Sequence, residues 1–247
     1  MYYSPSRFKK EFPEEKRKKD NYTCRFFVRP ISFVIASIFT VFKISANATS
    51  IIGFLLGLAS CILVVINYFV GTKVLVLVSI ILFIIWLFLD CVDGNIARTV
   101  KSGKYGDFFD AISGYIYPGL YFALFGFYAS KTYDVIFKSS LAWLGLLSSV
   151  ASLSFVLLVL NNKKFEENSI KYSSDRSNDH TSSKIAFLMS AAKRISSEIN
   201  FGGLMPFILL FAFIFDFCAF ATIVYAVFFI LLSVAGNFVL IAKALKA

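Results

Sequence analysis

Six apolar runs constrain the fold of this chain more than any other feature. A transmembrane helix needs about 20 apolar residues. The runs that approach this length are Ser50–Val70, Val74–Arg98, Phe108–Ser130, Ser139–Leu160, Phe201–Phe215 and Cys218–Ala242. Only 16% of the residues are charged, whereas soluble domains carry about a quarter. We therefore expect an all-α integral membrane protein whose residues 44–247 form six transmembrane helices.

The remaining segments are polar or short. Residues 1–29 are basic and predict a loosely structured cytoplasmic tail, too polar at its start to be a secretory signal peptide. Pro30–Lys43 is apolar but too short to span, and Arg25 and Arg29 precede it, so we expect a juxtamembrane helix lying in the membrane interface. Residues 161–183 lack an apolar period and are rich in polar residues, which predicts a flexible cytoplasmic loop.

The distribution of positive charge indicates the orientation in the membrane. With the amino terminus inside, all of the 25 Lys and Arg residues except Lys73, Lys131 and Lys138 fall on cytoplasmic segments. Both termini are therefore expected in the cytoplasm, in a bacterial inner or plasma membrane. Much of the net charge of +10 is then a topology signal, and no nucleic-acid partner is expected. The four cysteines show no CxxC spacing and predict neither a zinc site nor a disulfide framework.

An acidic stretch, "LDCVDGNIARTVKSGKYGDFFDAISGY" (Leu89–Tyr115), interrupts this apolar chain. The apolar run Val74–Leu89 would rise about 24 Å as a helix, so Asp90 and Asp93 come where hydrocarbon gives way to the interface. Asp110 begins the next, antiparallel span at the same depth. Three carboxylates this close repel unless a cation lies between them, and hard oxygen ligands predict Mg²⁺ or Mn²⁺.

Smaller residues and an arginine accompany these acids. Gly94 and Ala97 share a helix face with the two aspartates of the second span and would leave room for a ligand against the backbone. Arg98, one turn further, can pair with phosphate. A divalent metal, an arginine and a cavity at the cytoplasmic surface suit phosphoryl transfer, in which the protein mainly positions groups and neutralises charge.

The pattern also resembles a known family. Asp90-x-x-Asp93-Gly94-x-x-Ala97-Arg98, followed after seven residues by Gly106-x-x-x-Asp110, is similar to the signature of the CDP-alcohol phosphatidyltransferases. The layout of six spans behind an interfacial helix looks like the family as well. So does "SANATS" (Ser45–Ser50), although Ala46 stands where relatives have proline.

The resemblance implies a reaction and a set of site residues. Family members use a divalent metal to hold the diphosphate of a CDP-activated lipid or alcohol donor, while an acceptor hydroxyl attacks and CMP leaves. By matching position, Asp90, Asp93 and Asp110 would be metal ligands. The CDP-donor site would be lined by Asn47, Gly94, Ala97, Arg98 and Gly106. The resemblance also implies membrane lipids as partners, a role in phospholipid or related glycoconjugate biosynthesis, and a homodimer.

One position departs from the family pattern. Relatives carry a fourth aspartate that serves as a metal ligand and as the base for the acceptor, and here that position is Gly114. Three hypotheses stay open. Asp107 could act as the base, although it lies about 10 Å from position 114 along the helix axis. The acceptor could need no protein base because it is acidic or bound to metal. The chain could instead bind a CDP-lipid without catalysis.

Two further questions concern the acceptor and the class of protein. Lys193 and Arg194, with Lys101 and Lys104, could bind an acceptor phosphate, or they could simply be cytoplasmic membrane anchors. Acids within a membrane also mark ion pathways, which makes a cation transporter the alternative from another class. A pathway requires carboxylates near the midplane of the membrane, whereas these lie at its edge.

Overall fold

The computed structural model describes residues 3–100, 106–132, 139–154, 157, 198–199 and 202–244. Regular structure in these residues is helical, without a strand, which confirms the all-α class. The chain divides into two compact units. The first comprises Met1–Tyr117 and Lys193–Asp216, and the second comprises Pro118–Ala192 and Phe217–Ala247.

The described helices cover the apolar runs and part of the polar amino-terminal segment. They are α1 (Pro5–Glu11), α2 (Glu14–Lys19), α3 (Arg29–Val41), α4 (Ala46–Val70), α5 (Lys73–Val100), α6 (Gly106–Thr132), α7 (Ser139–Ser154), α8 (Met205–Ile214) and α9 (Cys218–Ala244). A π-helical turn, Cys24–Val28, leads directly into α3. The predicted loop 161–183 lies outside the described residues, as do Lys193 and Arg194.

Four helices in the described part of the chain are long and apolar enough to cross a membrane: Cys24–Val41, Ala46–Val70, Lys73–Val100 and Cys218–Phe238. This is compatible with a multi-pass membrane protein. The count of six spans stays a prediction, because α6 is not among these four and α7 and α8 are shorter apolar helices. With 10 residues, α8 is about 15 Å long, about half the thickness of the hydrocarbon core.

The amino-terminal segment differs from its prediction. Residues expected to be loosely structured form α1, α2 and the π-helical turn, because Phe8 and Phe12 are buried and anchor this basic segment on the protein. The turn also lengthens the apolar helix before α4 to 18 residues, Cys24–Val41. Length alone therefore no longer excludes a span here, and the interfacial position of Pro30–Lys43 stays a prediction.

Helices α4 and α5 form an antiparallel hairpin in the first unit. The Ser45 hydroxyl caps α4 by accepting a hydrogen bond from the Ala48 N–H at 3.2 Å, and Gly71 ends the helix in the left-handed conformation at φ +75°. Between the helices, the Ser60 hydroxyl lies 2.9 Å from the Ser79 carbonyl, and the Ser79 hydroxyl lies 2.8 Å from the Ser60 carbonyl. This serine pair connects the two helices by side-chain hydrogen bonds.

Tyr117 connects the first part of α6 to this hairpin. Its hydroxyl donates to the Phe54 carbonyl of α4, and its ring meets Trp86 of α5 edge-on at a centroid distance of 5.9 Å. Gly57 makes room for the ring, because a Cβ there would lie 2.5 Å from it. The start of α6 therefore belongs to the first unit.

The second unit contains the rest of α6, with α7 and α9. Gly126 and Gly145 bring the backbones of α6 and α7 together, since a Cβ on Gly126 would lie 2.7 Å from the Cα of Gly145. Phe122 of α6 packs edge-on against Tyr225 and Phe229 of α9, at centroid distances of 5.5 and 6.2 Å. These contacts build the interior of this unit.

Candidate functional site

The carboxyl-terminal end of α5 carries most of the residues that the sequence singles out. Asp93 is buried, with 4% of its surface exposed, while Asp90, Gly94, Ala97 and Arg98 are partly buried. A carboxylate is placed in the interior only when polar groups surround it, since burial without partners is costly. Asp93 is therefore the residue from which the site is best described.

Ser50 on α4 is the hydrogen-bond partner of Asp93. Its hydroxyl lies 2.6 Å from Asp93 Oδ2 and 3.1 Å from the Ala46 carbonyl. One hydroxyl has a single proton, and the shorter, charge-assisted bond to the carboxylate is the stronger of the two. The sequence analysis did not assign Ser50 a role. A signal was available, since Ser50 follows Asn47 by three residues and therefore shares its helix face.

Asn47 contributes an amide to this end of the hairpin. Its Oδ1 atom is buried and has no hydrogen-bond partner among the described residues. An orphaned buried acceptor is unusual in a folded protein. An amide oxygen is also the kind of hard ligand that binds a divalent cation or accepts a hydrogen bond from a polar ligand.

Arg98 folds back over Gly94. A Cβ on Gly94 would lie 3.0 Å from Nη2 of this arginine, so the glycine makes room for the guanidinium itself. Nη2 donates to Oδ1 of Asn95 at 3.0 Å. The Nε donor of Arg98 is buried and unbonded within the described residues. The arginine thus keeps an N–H group whose hydrogen bond a phosphate oxygen could accept.

The amino-terminal segment covers one side of this helix end. Phe8 and Phe12 form an apolar cluster with residues of α3 and α4 and with Val92 and Ile96 of α5, and Ala97 packs against this cluster. Ala97 therefore serves packing in this structure. The Phe12 ring also lies under the guanidinium of Arg98, whose centre is 5.2 Å from the ring centroid.

Two polar contacts fasten the helix before α4 to α5. The Asn95 amide donates to Ser32 Oγ at 2.9 Å, and the sulfurs of Cys24 and Cys91 lie 3.8 Å apart. Both cysteines are buried free thiols. Cys91 lies between the two aspartates of α5, so the π-helical turn is held directly against the acidic stretch.

Glu198 is a residue that sequence reasoning missed. Its carboxylate accepts hydrogen bonds from the backbone N–H groups of Tyr22 and Thr23, the latter at 3.3 Å, and the nearby Asn21 amide donates to the Gly202 carbonyl at 3.0 Å. The partners are more than 170 residues apart in sequence, and no local pattern predicts such a contact. These bonds attach the amino-terminal segment to the residues that precede α8.

Several predicted site residues fall outside what the structure describes. Gly106, Asp107, Asp110 and Gly114 lie on the helical backbone of α6, but their side chains are not described. Among the described side chains, no group of three or more His, Cys, Asp or Glu could hold a metal ion. The predicted grouping of Asp110 with Asp90 and Asp93 thus stays a prediction.

The chain matches no protein-family model, and no curated protein matches it.

Proposed function

We propose that this protein is a membrane enzyme that transfers a phosphatidyl or phosphoalcohol group from a CDP-activated donor to a hydroxyl acceptor and releases CMP. The observation that supports the proposal best is the polar cluster at one end of the α4–α5 hairpin. There, Asp93 is bonded to Ser50, while Asn47 and Arg98 each keep a buried polar atom without a partner among the described residues. Buried polar atoms without partners are unusual in a folded protein, and a bound ligand would account for them.

The donor set suits a divalent cation. Asp90 and Asp93 offer carboxylate oxygens, and the orphaned Oδ1 atom of Asn47 is a further hard ligand on the adjacent helix. These chemical types fit Mg²⁺ or Mn²⁺. We propose that Asp90, Asp93 and Asp110 hold it. When bound, the metal would supply positive charge that stabilises the diphosphate and the leaving CMP.

Helix geometry supports a common depth for Asp110 and Asp93. Tyr117 of α6 contacts Gly57 of α4. Asp110 precedes Tyr117 by seven residues, and Ser50 precedes Gly57 by the same number, so each lies about 10 Å from this contact along its helix. The short connection after α5 favours an α6 that runs parallel to α4. Asp110 would then lie at the same depth as Ser50, the hydrogen-bond partner of Asp93.

Arg98 would bind a phosphate oxygen of the donor. Its unbonded Nε is available for a charge-assisted hydrogen bond, while Asn95 already holds one end of the guanidinium. Gly94 favours this position, since a Cβ there would lie 3.0 Å from Nη2 and the guanidinium would have to shift. In this proposal Gly94 acts through Arg98, and Gly106 and Asn47 complete the donor site.

The base for the acceptor hydroxyl is the open part of the mechanism. Gly114 cannot remove a proton, which leaves Asp107 as the proposed base or an acceptor that needs none. Lys193 and Arg194 are the proposed partners of an acceptor phosphate. The same glycine also favours a second candidate function, a protein that binds CDP-lipid without turning it over.

We further propose the membrane arrangement in which this chemistry takes place. The chain would have six spans, with Pro30–Lys43 in the interface, both termini in the cytoplasm and the site at the cytoplasmic edge. The positive charge of residues 1–29 supports this orientation. A transporter pathway is less compatible with the site, because Asp90 and Asp93 lie near the end of α5, away from its middle.

The test is CMP release by the purified protein in lipid with Mg²⁺ or Mn²⁺, using CDP-diacylglycerol and several CDP-alcohols with candidate acceptors. We expect Asp93→Asn to lower the rate more than about 100-fold, because even partners of metal ligands account for about 10- to 100-fold. Asp216→Asn is the matched control, since this exposed aspartate pairs with Lys73 at 3.2 Å outside the cluster. It should retain wild-type activity.

The result for Asp107→Asn separates the hypotheses on the base. Loss of CMP release with unchanged donor binding would assign the base to Asp107. Retained activity would favour an acceptor that needs no protein base. Absence of release in the wild-type protein, together with metal-dependent donor binding that Asp93→Asn abolishes, would leave the binding function. Failure to bind any CDP compound would refute both candidate functions.

A further inference from the structure

A cavity lies in the amino-terminal segment, among α1, α2 and the start of α3. Its volume is about 430 Å³. Four cations and one carboxylate line it: Lys9, Arg17, Arg25, Arg29 and Asp20. This cavity belongs to the first unit and shares none of its lining residues with the aspartate cluster of α5. Its charge favours an anionic ligand.

Among the described residues, one of these cations pairs with a carboxylate. The Arg29 guanidinium donates to both Asp20 oxygens, at 2.9 and 3.3 Å, and both side chains are 15% exposed. Lys9, Arg17 and Arg25 form no ion pair with a carboxylate among the described residues. Three cations without a carboxylate partner among the described residues therefore line one cavity, and a group with several anionic oxygens could accept hydrogen bonds from them.

The other wall of the cavity is apolar and continues along α3. Phe12 and Phe33 line it and pack edge-on at a centroid distance of 5.9 Å. Phe26 and Pro30 also line it, and they begin an exposed apolar stripe with four-residue spacing that continues through Val34 and Ile38. Residues with this spacing lie on one face of a helix. A ligand in the cavity would therefore have lipid-compatible surface beside it.

We propose that this cavity binds the phosphate group of an anionic phospholipid, whose acyl chains lie along the stripe formed by Phe26, Pro30, Val34 and Ile38. The phosphate contacts Lys9, Arg17 and Arg25, and the partly buried Arg29–Asp20 pair forms the base of the site. This binding site is separate from the proposed transferase site and does not depend on it.

Occupancy has a consequence for the aspartate cluster. Two guanidinium groups contact the Phe12 ring, with the centre of Arg29 at 4.6 Å and that of Arg98 at 5.2 Å from its centroid. A lipid that holds α1 and α2 in place therefore also holds Phe12 beneath Arg98. The cavity thus connects the composition of the membrane with the position of an arginine in the proposed transferase site.

The test uses the full-length protein in phosphatidylcholine nanodiscs with increasing phosphatidylglycerol, without CDP compounds or added metal. Bound phosphatidylglycerol is counted by native mass spectrometry. The double variant Arg17→Gln/Arg25→Gln should weaken phosphatidylglycerol binding about 25-fold, because each cation lost near a membrane surface weakens binding roughly fivefold. Lys10→Gln/Lys18→Gln is the matched control, because these exposed cations of α1 and α2 do not line the cavity. Its effect should be several-fold smaller, because these cations do not line the cavity and at about 0.15 M salt charges more than about 8 Å from the phosphate are largely screened.

Three results would overturn the proposal. Equal weakening of phosphatidylglycerol binding in both double variants would mean that the lipid is attracted to the basic surface as a whole and not to this cavity. Saturation of the cavity by inorganic phosphate at the concentrations that suffice for phosphatidylglycerol would assign it to a soluble anion. Equal binding of oleate, an anionic lipid without phosphate, would exclude phosphate recognition. None of these results bears on CMP release, so failure here leaves the proposed function untouched.

Folding of the variants is checked in phosphatidylcholine alone. The thermal midpoint of Arg17→Gln/Arg25→Gln should equal that of the wild type, since neither cation forms an ion pair among the described residues. If that double variant is less stable than the wild type, the single variant Lys9→Gln replaces it, since Lys9 is exposed and also lines the cavity. About fivefold weaker phosphatidylglycerol binding is then expected, and unchanged binding would refute the proposal.

Discussion

The α4–α5 hairpin and the α6–α7 pair hold two helices together in different ways. In the hairpin, serine hydroxyls connect the helices, Ser60 with Ser79 and Ser50 with Asp93. In the α6–α7 pair, Gly126 and Gly145 allow the two backbones to touch. Lipid tails are as apolar as the helix surfaces, so membrane helices associate through close packing or hydrogen bonds.

The difference shows where a polar site can be built. A glycine contact leaves no space and no free polar atom, so it can only pack. A serine contact places a donor between two helices, and that donor can serve a buried carboxylate as well as a backbone carbonyl. The hairpin uses the same residue type for structure at Ser60 and for the candidate site at Ser50.

The largest expected effect is at the glycine contact. Gly126→Ala would place a Cβ 2.7 Å from the Cα of Gly145, and two backbones must separate to accept it. We expect a loss of unfolding free energy near 3 kcal/mol, the upper end of the overpacking range of about 1–3 kcal/mol. The measurement is denaturation in mixed micelles, followed by circular dichroism.

Gly119→Ala on the same helix is the matched control for this prediction. Its Cβ would lie 2.9 Å from side-chain atoms of Leu153, which can change rotamer. It should cost about 1 kcal/mol or less. Equal losses for the two variants would contradict the assignment of the α6–α7 contact to Gly126.

A smaller effect is expected at the serine beside the carboxylate. Ser50→Ala removes a charge-assisted hydrogen bond to buried Asp93, and such bonds contribute about 1.5–3 kcal/mol. The same denaturation is performed with a chelator present, so that no metal compensates. Ser149→Ala is the control, because its hydroxyl bonds the Gly145 carbonyl of its own helix. A loss for Ser50→Ala no larger than that control would remove Ser50 from the site.

The smallest effect is expected at the neutral serine pair. Ser60→Ala, Ser79→Ala and the double variant form a cycle whose coupling free energy should be about 0.6 kcal/mol and at most about 1.7 kcal/mol, as for other hydrogen bonds between membrane helices. The value is small because the backbone carbonyls of both positions remain available to the other hydroxyl. Unchanged stability in both single variants would show that packing, and not this pair, sets the hairpin register.

Much of the helical framework could be predicted from sequence. The second apolar run was predicted as Val74–Arg98 and is helix Lys73–Val100, and the third was predicted as Phe108–Ser130 and is helix Gly106–Thr132. Apolar runs of this length form helices because a chain in hydrocarbon must satisfy its own backbone. The fifth run was predicted as Phe201–Phe215, but α8 begins only at Met205, with Pro206 in its first turn.

The candidate site could be predicted only along one helix. The sequence by itself determined that Asp90, Asp93 and Arg98 share the end of α5, because helical periodicity is a local property. The tertiary structure alone decided that Ser50 reaches Asp93 from 43 residues away and that Phe12 lies beneath Arg98. It also decided that Glu198 receives the N–H groups of Tyr22 and Thr23. Such pairs depend on how helices pack, and packing is specified by many side chains together and by no single local pattern.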